Sequence, residues 1–114
     1  MEMDTILQSF RSASRESVRL SLAVQGYFGG NPSPEQAREL EGYLRRRVRS
    51  VVELLLIEDA LPALERLARE GWLNPGLVED GLDAAIRLKK TEGYVWLLRW
   101  KAGQYGFADR DFSL

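Results

Sequence analysis

Apolar residues recur along most of this chain at intervals of three and four, the spacing of an α-helix with one buried face. From about Asp4 to Phe28 the pattern runs through Ile6, Leu7, Phe10, Ala13, Val18, Leu22, Val24 and Phe28. Ser14, Ser17 and Ser21 form a smooth stripe that would let another helix approach closely. Gly29-Gly30-Asn31-Pro32 then predicts a break. Ser33, Pro34 and Gln36 have the spacing of a capping box with proline at the first helical position. The stripe behind it is Ala37, Leu40, Leu44, Val48, Val51, Val52 and Leu55. Leu54, Leu56 and Ile57 fall outside that arc, so the end of this second helix should be covered on several sides.

Three shorter segments follow. Asp59 can cap the third, with Pro62 in its first turn, Leu61, Leu64, Leu67 and Ala68 on its buried face, and Gly71 as its stop. Glu65–Arg69 and Arg66–Glu70 have the spacing of ion pairs along its wet face. Asn74 and Pro75 restart the chain as cap and first helical residue of the fourth, whose face is Leu77, Val78, Leu82, Ala85 and Ile86. Thr91 can cap the fifth. There Tyr94, Val95, Trp96, Leu97, Leu98 and Trp100 crowd almost every side, and Gly103 should end the helix. No period-two alternation and no Asn-Gly hairpin signal competes with these helices. The pattern predicts an all-α chain of about five helices: a long antiparallel hairpin with shorter helix pairs stacked on it as a small solenoid-like layer. A single domain over residues 1–114 is expected. It comprises an N-terminal helix and turn (1–32), helical pairs (33–103) and a tail (104–114). The tail should dock through Tyr105, Phe107 and Phe112, or fray.

Shifting the second and third segments by 33 residues superposes apolar positions: Val52 on Ala85, Leu55 on Leu88, Leu61 on Tyr94, Leu64 on Leu97 and Leu67 on Trp100. That offset is the ankyrin period. The stretch Leu82 to Lys101, with Asp83-Ala84-Ala85-Ile86 before the turn and Val95-Trp96-Leu97-Leu98 after it, resembles the helix pair of an ankyrin-type repeat. The resemblance spans roughly 59–103. Where the family has its T-P-L-H motif, this chain reads Asn74-Pro75-Gly76-Leu77. Gly71 to Asn74 is shorter than the family's β-hairpin finger, and the second segment is longer than an ankyrin inner helix. The chain is also similar to helical C-terminal segments of uncharacterised bacterial and phage proteins. The ankyrin-type resemblance implies a protein-binding scaffold without catalysis, and no particular partner.

Composition narrows the chemistry. The 114 residues contain neither cysteine nor histidine. That removes the thiol nucleophile, the usual pH-7 proton shuttle and the commonest transition-metal ligand. The start, Met-Glu-Met-Asp, is acidic where a signal peptide is basic. No window approaches the roughly 18 apolar residues of a membrane span. A cytoplasmic location follows as the expectation. Formal net charge is −1, from 16 basic and 17 acidic residues. Neither half forms a cationic arm of the kind that tracks nucleic acid. Thirteen basic residues are arginine. Arginine favours bidentate and stacked contacts, although a biased genome composition would give the same skew.

Three clusters are candidates for function. Arg45, Arg46, Arg47 and Arg49 could track phosphates or an acidic partner, but helical geometry fans them over the wet side, with Glu41 and Glu53 at pairing distance. Glu79, Asp80 and Asp83 offer carboxylates near a helix start, where the helix dipole favours acids; two of them share a face that could bridge a divalent ion. Tyr94, Trp96 and Trp100, with Trp72 nearby, read by default as core packing, but a helix this short buries every side only when several neighbours surround it. Exposed aromatics of this kind anchor protein interfaces. There is no Ser-x-x-Lys, no G-x-S-x-G elbow, no P-loop and no G-x-G-x-x-G. The expectation is a non-catalytic protein-interaction module without a cofactor: an adaptor, inhibitor or assembly factor. Its partner-binding residues would be Trp72, Tyr94, Trp96 and Trp100. A homodimer through the serine stripe is a second route to burial. A nucleic-acid-binding accessory protein using Arg45, Arg46, Arg47 and Arg49 is the alternative.

Overall fold

The computed structural model describes residues 2–105. Among them the chain is all-α, with seven α-helices rather than about five. They are α1 (Met3–Ser12), α2 (Glu16–Val24), α3 (Pro34–Arg45), α4 (Val48–Ile57), α5 (Leu61–Arg69), α6 (Pro75–Arg87) and α7 (Thr91–Tyr105), with a π-helical turn at Gln25–Gly29 after α2. The two extra helices come from breaks inside the two long predicted ones. The first break falls at Ala13, where the backbone is extended; the small polar run there gives a helix little to bury. It divides the serine stripe, leaving Ser14 in the link and Ser17 and Ser21 exposed on α2. The second falls at Arg46–Arg47. The Arg47 N–H reaches back three residues to Leu44 O at 2.8 Å, and the ladder resumes with Val51 N–H to Arg47 O at 2.9 Å.

The chain divides into two compact units, Met1–Val51 and Val52–Leu114. In the first, α1 packs on α2, and both pack on the π turn, as does α3. Ile6, Leu7, Phe10, Leu40 and Leu44 form its buried interior. Each such side chain contributes about 1.5–3 kcal/mol on burial. Gly26 explains the close approach at the π turn: a Cβ there would lie 3.1 Å from Leu40 and 3.2 Å from Ile6. The capping box forms as the sequence predicts. Ser33 Oγ accepts from Gln36 N–H at 3.2 Å, and Gln36 Oε1 accepts from Ser33 N–H at 2.9 Å.

In the second unit α6 packs on α7. Three of its helices end alike. At the end of α4, Asp59 N–H donates to Leu56 O and Ala60 N–H to Leu55 O, at 3.1 and 2.9 Å. Gly71 and Trp72 repeat the pair on Ala68 and Leu67, and Lys89 and Lys90 repeat it on Ile86 and Ala85. This is the Schellman motif, with a left-handed residue just past the helix. Here those residues are Asp59 (φ 53°), Gly71 (φ 79°) and Lys89 (φ 59°). Asp59 therefore closes α4 instead of capping α5, whose N-cap is Ala60 without a side-chain bond. The left-handed residues Asp59 and Lys89 lie thirty residues apart. Asn74 caps α6 as expected, its Oδ1 accepting from Leu77 N–H at 2.8 Å.

Two positions differ from the sequence pattern because glycine turns a helix inward. On α6, Gly81 is buried and Ile86 is 62% exposed. A Cβ at Gly81 would meet Leu97 at 3.1 Å and Val52 at 3.3 Å, so bare backbone takes the place assigned to Ile86. On α7, a Cβ at Gly93 would fall 2.4 Å from Leu56 Cδ2. α7 also continues through Gly103 to Tyr105. The expected docking of Phe107 and Phe112 lies outside the described residues.

Candidate interaction surface

α7 carries the candidate surface. Leu97 is its buried residue, at 0% exposure, and Gly93 is also buried. Those two fix one face inward. Apolar residues nevertheless spread around the whole helix, and Val95 and Leu98 are each left 38% exposed. Trp96 and Trp100, one turn apart, stack with ring centroids 5.8 Å apart and planes 6° from parallel. Such a pair contributes about 0.5–1.5 kcal/mol beyond its area. Together with Glu65 and Arg69 of α5 and with Arg99, they line an open groove of about 480 Å³. A neighbouring hollow of about 290 Å³ is bounded by Leu61, Thr91, Glu92, Val95, Trp96 and Arg99. Trp96 and Arg99 thus stand between two hollows. Trp100 Nε1 is buried with no acceptor among the described residues.

The four predicted aromatics are not brought together. Trp72 is 3% exposed. It sits just past the left-handed Gly71, the position of the Schellman motif whose side chain commonly folds back on its own helix. It is a core residue, which withdraws it from the surface patch. Tyr94 lines a different hollow, of about 310 Å³, with Ile86, Lys89, Lys90 and Thr91. Trp96 and Trp100 alone share the groove.

Around the groove the charges are mostly paired. Arg69 meets Glu65 at 3.1 Å and Arg66 meets Glu70 at 2.9 Å, as the sequence spacing predicts. Lys101 meets Glu79 at 2.6 Å, and Lys90 meets Asp59 at 3.1 Å. Arg99 makes no such contact with any described residue. Glu79 of the acidic trio is therefore engaged by a lysine. No group of three metal-ligating side chains occurs among the described residues.

The arginine cluster has a different fate. Arg45 pairs with Glu41 at 3.2 Å. Arg47 donates to Glu16 at 2.7 Å and to Tyr43 O at 2.9 Å. Its guanidinium also lies 3.9 Å from the Tyr43 ring centroid. The Tyr43 hydroxyl donates to Glu16 at 2.5 Å, and the Tyr43 ring stands edge-on to Phe10 at 5.0 Å. Arg19 lies over both rings and donates to Phe10 O at 3.2 Å, satisfying a terminal carbonyl of α1. Burial, and then the bond to Glu16, push the Tyr43 phenol up to about 12. The Tyr43 hydroxyl and Arg47 hold Glu16 below the ordinary carboxylate range. Arg11 does the same to Glu39 across a 2.6 Å ion pair. This knot of Tyr43, Glu16, Arg47 and Arg19 joins α1, α2 and α3. Its partners lie about thirty residues apart, so local spacing gives no signal of it.

Comparison of the chain with protein-family models, with curated proteins and with solved structures returns no match. No helix among the described residues is long and apolar enough to cross a membrane.

Proposed function

We propose that this chain is a non-catalytic protein-interaction module of the cytoplasm, an adaptor, inhibitor or assembly factor, and that α7 carries its binding surface. One observation supports the reading above the others: the stacked Trp96–Trp100 pair lines an open groove instead of closing into the core. Flat aromatic side chains beside arginine are the residue types that dominate interface energetics. Ion pairs at the rim, such as Glu65–Arg69, would set register and selectivity more than affinity. In this reading α4–α7 form two stacked helix pairs of solenoid type.

The alternative, nucleic-acid binding through Arg45, Arg46, Arg47 and Arg49, loses support from the ion pairs. Arg45 and Arg47 are already neutralised within the chain, and phosphate tracking needs free cations.

The test is capture from lysate by the immobilised chain and by Trp96→Ala side by side, with DNA and RNA oligonucleotide titrations at low salt. The reading expects a protein retained by the wild type and lost by the variant, and no oligonucleotide binding. Equal retention by both forms, or tight oligonucleotide binding that falls steeply with salt, overturns it.

A further inference from the structure

We propose that the α7 groove takes an extended acidic peptide of a partner protein, with a carboxylate on Arg99 and an aromatic side chain against the Trp96–Trp100 pair. This deepens the interaction reading above and rests on it. Three features of the groove select that occupant.

The first is charge. Arg99 borders both hollows, and no described residue neutralises it. A guanidinium fork fits a carboxylate through two parallel bonds. Arg69 stands beside it, 64% exposed although tied to Glu65.

The second is shape. Two hollows of about 480 and 290 Å³ share Trp96 and Arg99 as their common border. Successive side chains of an extended strand point to opposite sides. One strand laid across Trp96 can therefore address both hollows. The parallel indoles offer a flat wall that a third ring can meet by offset stacking or edge-on.

The third is what the groove rejects. Glu65 and Glu92 line the same hollows as Arg99. A polyphosphate backbone would bring continuous negative charge against both. A peptide can instead place one carboxylate at Arg99 and leave the glutamates facing solvent or its own amides.

The experiment selects random linear peptides displayed on phage against the full-length chain. The winners are then measured by fluorescence polarisation on wild type, Arg99→Glu, Arg99→Lys and Trp96→Ala. Circular dichroism melts check that each variant folds. Winners should combine Asp or Glu with an aromatic residue. Their Kd should rise tenfold or more in Arg99→Glu and in Trp96→Ala, and by less in Arg99→Lys, which keeps the charge without the fork. Winners without acidic residues, or winners that bind Arg99→Glu as well as wild type, overturn the acidic-peptide assignment. If those winners still lose affinity in Trp96→Ala, the interaction reading survives that result. No winner sensitive to Trp96→Ala sinks both. Self-association of the chain that Trp96→Ala disperses assigns the groove to a second copy, and that also overturns the proposal.

Discussion

The two units close their surfaces by different means. In the first, Arg19 and Arg47 lie over Phe10 and Tyr43, and carboxylates answer the cations. Among the described residues of this unit, Val18 is the one exposed large apolar side chain. In the second, left-handed turns close the helix ends through backbone bonds. There Ile57, Ile86, Val95 and Leu98 stay exposed, and the Trp96–Trp100 stack lines an open groove. Both units pair charges, the second through Lys90–Asp59 and Lys101–Glu79 among others. The first also covers its rings with guanidinium groups, whereas the second leaves aromatic surface open. The proposed binding role of the second unit rests on that difference.

The largest expected effect probes the interior of the second unit. Leu97→Ala empties a fully buried site and should cost about 2–5 kcal/mol in urea unfolding. Hydrogen exchange should show the loss first in α6 and α7. Gly93→Val comes next. Its Cβ would fall 2.4 Å from Leu56, and overpacking of this kind costs about 1–3 kcal/mol. Ile86→Val sets the contrast: a residue 62% exposed should change stability by less than about 0.5 kcal/mol.

The first unit should respond to pH through Glu16, Glu39 and Tyr43. Glu16 and Glu39 have lowered pKa values in the folded chain. Their contribution is complete above the ordinary carboxylate value of 4.5 and is lost as pH falls through the folded values. Tyr43 works in the opposite sense. Its raised pKa keeps the proton on in the folded state, so its contribution is complete below 10.0 and is lost as pH rises to about 12. Glu16→Gln should flatten the acid limb and lower the pH at which Tyr43 ionises, read from tyrosinate absorbance. The smallest effect is at a turn. Lys89→Gly relieves a left-handed lysine and should stabilise the second unit by about 0.5 kcal/mol, the relief offset in part by extra freedom of the unfolded chain.

Local signals were legible in the sequence. The capping box at Ser33 and Gln36, the Asn74 cap, the stop at Gly71 and the ion pairs of α5 all follow from neighbours within a turn. What was not legible depends on distant residues. The break at Arg46–Arg47 coincides with Glu16 and Tyr43 engaging Arg47, and Glu16 is 31 positions away. Gly81 and Gly93 look like weak helix positions in isolation. They become close-approach points only once Leu97 and Leu56 lie against them. Apolar crowding on the last helix could be read directly, whereas the split of its aromatics could not. Trp72 is buried and Tyr94 lies apart because turn geometry and helix phase decide each position.

The contrast between the units is tested most directly by calorimetric titration of one selected peptide into Trp96→Ala and into Arg46→Glu. The account predicts that Trp96→Ala weakens binding at least tenfold and that Arg46→Glu leaves it unchanged. Loss of binding in Arg46→Glu, with Trp96→Ala unaffected, would contradict it.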